Sequence, residues 1–169
     1  MVIYTMVPAD QQLAFLQIPK NASTAIRANK DYNNWTREIP SDVPLSKHVV
    51  ILRDPTDRFI SAVNMYLQTG RDFMFPEPIN FENYLKNNKH FVPQTVYMDA
   101  VKDFADIDYW MYDSEVVNNI IDYYNLAVDK NVRYNVCNEK VVTSVNTKFI
   151  EKHYANDLDL ISQVRLLNR

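Results

Sequence analysis

The sequence predicts an α/β protein, a mainly parallel sheet flanked by helices in three layers. Two stretches carry the prediction, Leu13–Arg27 (LAFLQIPKNASTAIR) and Val49–Leu67 (VVILRDPTDRFISAVNMYL). Each reads as an apolar strand that ends at a basic residue and runs into a helix. A third apolar run, Ile107–Tyr112, precedes another helical pattern. Strands alternating with helices imply parallel pairing, with ligands bound outside the carboxyl ends of the strands. At 169 residues, 47% hydrophobic and 23% charged, the chain suits one compact domain over residues 1–169.

In chain order, residues 1–12 read as a lead-in strand or loop. Leu13–Ile18 is the first core strand; it stops at Pro19 and turns through Lys20, Asn21 and Ala22 into a helix that opens at Ser23-Thr24 and fades by residues 29–31. Residues 32–47 form a polar connection containing Pro40 and Pro44. The second strand, His48–Arg53, leads into a helix over Pro55–Gln68. Asp54 suits its N-cap, Pro55 its first position, Asp57 its first turn and Gly70 the residue that ends it. The spacing places Phe59, Val63, Tyr66 and Leu67 on a buried stripe. It leaves Arg58, Ser61 and Met65 on another face, with Arg58 four residues from Asp54 as an ion-pair partner.

Beyond the proline-broken loop of residues 73–78, Asn80 caps a helix reaching Asn87. Residues 90–94 are loop, and residues 95–102 a helix or turn. Ser114 caps a helix with Val116, Val117, Ile120, Ile121 and Tyr124 apolar; residues 128–145 fit neither period. One final helix over Thr147–Leu167 buries Ile150, Tyr154, Leu158, Ile161 and Val164 at helical spacing. A single glycine, Gly70, against an average usage of ~7%, leaves the turns to asparagine, aspartate and proline.

A net charge of −3 argues against a protein that coats nucleic acid, whose affinity comes from neutralising phosphates, but allows a local basic pocket. Cys137 is the only cysteine, so no internal disulfide forms. His48, His90 and His153 are scattered, without metal-ligand spacing, and no metal is expected. The start lacks a charged region followed by an apolar run, and no stretch approaches the ~20 apolar residues that span a bilayer. The expectation is a soluble, cytoplasmic protein without membrane partners.

The chemistry follows from the strand ends. A strand that enters a helix through small residues offers backbone N–H groups to an anion, Lys20 adds charge, and Ser23 and Thr24 add hydroxyls. The plain alternative is an ordinary turn with Lys20 in solvent and Ser23 as an N-cap. Arg53 is harder to explain that way, because an arginine closing a run of Val-Val-Ile-Leu needs an anion nearby.

Together these stretches resemble the PAPS-dependent sulfotransferases, in particular the carbohydrate-sulfotransferase-like branch. The match lies in Pro19-Lys20-Asn21-Ala22-Ser23-Thr24 and in Arg53-Asp54-Pro55-Thr56-Asp57-Arg58-Phe59-Ile60-Ser61. His90-Phe91-Val92-Pro93-Gln94 and Tyr154-Ala155-Asn156-Asp157 also look like pieces of the family. The resemblance implies a P-loop-NTPase-like sheet and a sulfuryl transfer from PAPS to a hydroxyl, or an amine, of a carbohydrate or small molecule, with release of PAP and no metal. It assigns the 5′-phosphosulfate to Lys20, Asn21, Ala22, Ser23, Thr24 and Ala25, and the 3′-phosphate to Arg53 and Ser61. Lys20 would stabilise the leaving phosphate.

The acceptor's base is open between His90 and Glu38, with Asp31 also in the connection; His48 lies about 16 Å from Arg53 at ~3.3 Å per residue and so at the wrong end of the sheet. Tyr154 and Asp157 are read as structural. The first loop departs from the family in having no glycine, so Ala22 and Ser23 must adopt conformations that glycine reaches more easily. Two alternatives stand. A P-loop kinase would need glycines and a lysine directly before the hydroxyl residue, which this loop lacks. A non-catalytic nucleotide-binding protein would keep the fold without the activity.

Overall fold

The computed structural model describes residues 5–6, 13–27, 47–69, 85, 88–99, 101, 106–126 and 141–167. Glu38, Asp31, Gly70, Cys137 and the proline-broken loop lie outside them, and of the helix expected before residue 88 only Leu85 is described. The fold is α/β, with three parallel strands flanked by helices. Two compact units divide the chain: residues 1–53 with 97–135, and residues 54–96 with 136–169.

The first unit holds the sheet, in the order β1 (Thr5–Met6), β2 (Leu13–Leu16), β3 (Lys47–Leu52), β4 (Ile107–Met111). β1 pairs antiparallel with β2, and β2, β3 and β4 run parallel. The two central strands are buried along nearly their whole length, the continuous apolar run expected of parallel strands covered on both faces. Alternate residues Leu13, Phe15, Val49 and Ile51 meet Val116, Ile120 and Ile121 of a later helix, α4 (Val116–Tyr123), with Ala22 and Trp110 packed against the cluster.

The strand ends need correction. β2 stops at Leu16, two residues early, because the chain turns back on itself: Ile18 N–H donates to Leu16 O and Asn21 N–H to Ile18 O. β3 runs from Lys47 to Leu52 and leaves Arg53 outside the ladder. β4 stops at Met111, yet the Tyr112 N–H still donates to Leu52 O at 2.7 Å, so its pairing continues one step further. Ser114 does not cap α4. The residue before that helix is Glu115, which makes no side-chain cap, while Asp113 accepts the Glu115 N–H at 2.8 Å.

The second unit holds α2 (Pro55–Thr69), the start of α3 (Gln94–Met98), α5 (Thr147–His153) and α6 (Ala155–Leu167). Its core is Phe59, Ala62, Leu85, Phe91, Ile150 and Tyr154, with the Phe59 ring edge-on or tilted to Phe91, Phe149 and Tyr154. The expected stripe on α2 is only partly right. Phe59 is buried and Val63 and Tyr66 pack against the core, but Leu67 is exposed, and Arg58, Ala62 and Asn64 are buried. Asn64 is buried because it replaces missing backbone pairing: its side chain bonds the N–H groups of Val141 and Val142 and the carbonyl of Val142. The single C-terminal helix is in fact two, broken at Tyr154, and Asn146 caps the first of them.

Candidate functional site

The loop after β2 has an unusual backbone. Lys20 (φ 71°) and Ala22 (φ 61°) are both left-handed, a region that costs a side-chain-bearing residue about 1–2 kcal/mol. Ala22 is one of the two residues the glycine-free loop was expected to strain. Ser23 is not; it already belongs to α1 (Ser23–Arg27), and Lys20 takes the second strained position.

Besides its own backbone turns, this path is tied by side-chain bonds to the chain at and just beyond the end of β3. The buried Asn21 side chain donates from Nδ2 to Ile51 O at 2.7 Å, and Arg53 donates from Nη1 to Lys20 O at 3.0 Å. The parallel register makes this possible: Leu16 lies beside Val50, so the chain leaving β2 passes the residues that end β3. A third contact fixes Arg53, whose Cζ lies 4.2 Å from the centre of the Tyr112 ring. The loop, Arg53 and Tyr112 thus form one cross-linked group. Beside it Ser23 is buried and Thr24 and Ala25 are half-buried. A lysine, an arginine and two hydroxyls make a donor set suited to a tetrahedral oxyanion.

Lys20, Asn21, Ala22, Ser23, Thr24, Ala25 and Arg53 are therefore brought together in the first unit. Ser61 is half-buried on the second turn of α2 in the second unit. Asp54 caps that helix as expected, Oδ1 accepting from Thr56 N at 2.9 Å and Asp57 N at 3.3 Å. Those amides are thereby engaged by a carboxylate, so the second motif has side chains rather than a bare helix end to offer an anion.

Arg58, placed by its spacing on a face apart from the buried stripe, is itself buried. It is 1% exposed, and its guanidinium donates to Val92 O at 2.8 Å and Lys89 O at 3.5 Å. It belongs to a clamp on residues 88–95. Asp157, fully buried, accepts from Gln94 N and Thr95 N and from both their side chains, and Tyr154 donates its hydroxyl to Phe91 O at 2.7 Å. Burial pushes the Tyr154 hydroxyl well above the usual tyrosine range, Arg58 pulling the other way and Asp157 adding to the rise. The structural reading of Tyr154 and Asp157 stands.

His90 sits on the clamped segment, half-buried. Its Nδ1 lies 2.9 Å from the Tyr66 hydroxyl, which the Asn88 side chain also bonds, and the Tyr66 ring meets it edge-on. The imidazole is thus oriented, and a base role would fall to Nε2. His48 is buried at the start of β3, the end opposite Arg53, and burial lowers its pKa.

Sequence reasoning missed Tyr112 and the Asn21 cross-link. The signal for Tyr112 was present: it closes the third apolar run just as Arg53 closes the second. Among the described residues no group of His, Cys, Asp and Glu is arranged to hold a metal ion, and no helix is long and apolar enough to cross a membrane. No protein-family model, curated protein or solved structure matches the chain.

Proposed function

We propose that the chain is a PAPS-dependent sulfotransferase of the cytoplasm, with a three-layer, P-loop-NTPase-like architecture. It transfers a sulfuryl group from PAPS to an acceptor hydroxyl, on a carbohydrate or small molecule, and releases PAP. The observation that carries this reading is the cross-linked pair of basic strand ends, Arg53 bonded to the left-handed Lys20 and Asn21 bonded back to Ile51. Backbone strain of this kind persists where the surroundings over-determine it, and it concentrates at binding sites.

The acceptor oxygen attacks sulfur, the bond from sulfur to the bridging phosphate oxygen breaks, and the acceptor proton passes to a base. As in phosphoryl transfer, positioning and charge stabilisation supply most of the rate. Lys20 stabilises the charge that develops on the departing phosphate oxygen. Asn21, Ala22, Ser23, Thr24 and Ala25 hold the 5′-phosphate, and Arg53 holds the 3′-phosphate. Motif spacing assigns Ser61 to that same phosphate. His90 is the base, its ring set by Tyr66.

Magnesium-free PAP is the direct test. A ligand that binds only the folded chain stabilises it by ~2.7 kcal/mol at a hundredfold excess over its dissociation constant. The melting temperature should rise with PAP and not with Mg-ATP. A melting temperature unmoved by millimolar PAP would refute the reading. PAP binding without turnover on glycans, phenols or peptides would leave a nucleotide-binding protein in place of an enzyme.

A further inference from the structure

We infer that Tyr112 is a positioning residue for the anion grip, holding the Arg53 guanidinium in place over its ring so that the site selects a nucleotide with a 3′-phosphate; the inference rests on the reading above.

The sheet register brings the pair together. Ile51 lies beside Trp110 and Leu52 beside Met111, so the next residue pair on the same face as Ile51 and Trp110 is Arg53 with Tyr112. The Tyr112 N–H still bonds Leu52 O at 2.7 Å, which pins the tyrosine backbone beyond the last ladder residue. The ring then lies against the guanidinium, 4.2 Å from Cζ to its centre.

An arginine at a strand end has many rotamers, and a grip on a phosphate needs one of them. Two contacts choose it here. Nη1 is tied to Lys20 O, and Cζ stands over the Tyr112 ring 4.2 Å from its centre, so the group is held at two points. Cation–π attraction favours a cation over the ring's face, where Cζ lies. Tyr112 itself is 37% exposed, so it contributes little to the core. A flat aromatic held on a charged side chain at the mouth of the strands acts on that side chain's geometry more than on the fold.

The chemistry of the ring gives distinguishable variants. Tyr112→Phe keeps the aromatic face; Tyr112→Leu keeps apolar bulk and loses it. The experiment titrates PAP and adenosine 5′-phosphosulfate into wild type, both variants, Arg53→Ala and the Arg53→Ala/Tyr112→Leu double variant by calorimetry, without magnesium. Tyr112→Leu should bind PAP about three- to tenfold more weakly, the range of a partly exposed cation–π contact. Tyr112→Phe should restore affinity to within about twofold. Adenosine 5′-phosphosulfate, which has no 3′-phosphate, should bind all three proteins alike, and Tyr112→Leu should add nothing in the Arg53→Ala background, as a pairwise cycle requires.

Equal weakening of both nucleotides by Tyr112→Leu would overturn the inference, since the ring would then serve the nucleobase or the fold. So would unchanged PAP affinity, or a loss that persists without Arg53. Failure of wild type to bind PAP at all would instead remove the underlying reading, and the inference with it.

Discussion

The loop of residues 18–25 and the segment of residues 88–97 are both short connections next to short helices, and they are built on opposite principles. The first carries two strained left-handed residues and is secured by two side-chain bonds, from Asn21 and Arg53. The second is held by Arg58 and Asp157 from distant helices and by Tyr154 at the break between two of them, their polar groups directed at its backbone. A backbone bonded by buried side chains from elsewhere in the unit needs no strain to hold its path, and this one carries the half-buried His90 on that frame. The first loop keeps Lys20, Thr24 and Arg53 half-buried and bears a conformational cost, offset by neighbours that over-determine it, as the proposed ligand site would require. The two arginines of the second motif make the contrast at a separation of five residues: Arg53 is half-buried at a strand end, and Arg58 is sealed in a helix face.

The largest effect should come from the clamp. Asp157→Ala leaves buried N–H groups of Gln94 and Thr95 without their acceptor and should cost about 3–5 kcal/mol of stability, read from urea denaturation. A loss below 1 kcal/mol on that ~1–3 kcal/mol-per-group scale would mean that this carboxylate does not organise the segment.

Lys20→Ala tests the other region and should reverse the pattern. Turnover should fall about a hundredfold to a thousandfold, with PAP affinity and stability little changed. Near-normal turnover would remove Lys20 from the chemistry.

The arginines follow. Arg58→Leu should destabilise by about 2–3 kcal/mol, because the Val92 carbonyl loses a charged, buried donor. Arg53→Ala should cost less than half of that in stability. If the two substitutions prove equally destabilising, the distinction between grip and clamp collapses.

Ala22→Gly sharpens the claim of strain. Replacing alanine by glycine ordinarily costs ~0.5–1 kcal/mol, but at a left-handed position the released strain should offset that loss and leave stability equal or higher by up to about 1 kcal/mol. Ala62→Gly, in the buried middle of α2, is the control and should destabilise normally.

The smallest effect is a pH dependence at the far end of β3. Burial lowers the His48 pKa from its ordinary 6.5, so the folded chain favours the neutral imidazole. The unfolded chain then binds more protons between the lowered value and 6.5, and stability rises with pH across that window. His48→Gln should flatten the slope there, and an unchanged slope would assign it to another group.

Much of this was legible in the sequence, for a physical reason. Buried parallel strands are apolar throughout, so the first charged residue falls beyond their ends: Arg53 follows β3 by one position, and Lys20 follows β2 by four because the chain turns first. Asp54, Pro55 and Asp57 announced the start of α2, because capping is local chemistry. What stayed hidden depends on partners far along the chain. Arg58 looks like a surface residue until the carbonyls of Val92 and Lys89 are in place, and Asn64 until residues 141–142 are. The break at Tyr154 escaped because Ile150, Ile161 and Val164 are spaced as if one helix ran through. The bond from Arg53 to Lys20 joins residues 33 apart, which no local pattern records.

The central claim, that Arg53 and the strained loop grip a 3′-phosphorylated nucleotide, is tested most directly by calorimetry of PAP and adenosine 5′-phosphosulfate on wild type and Arg53→Ala. Each charge-assisted hydrogen bond is worth ~1.5–3 kcal/mol, so the substitution should weaken PAP binding by about one to two orders of magnitude and adenosine 5′-phosphosulfate far less, through the lost bond to Lys20 O alone. Equal weakening of both ligands would contradict the account, because Arg53 would then act only through its bond to the loop or on the adenosine, and not on the 3′-phosphate.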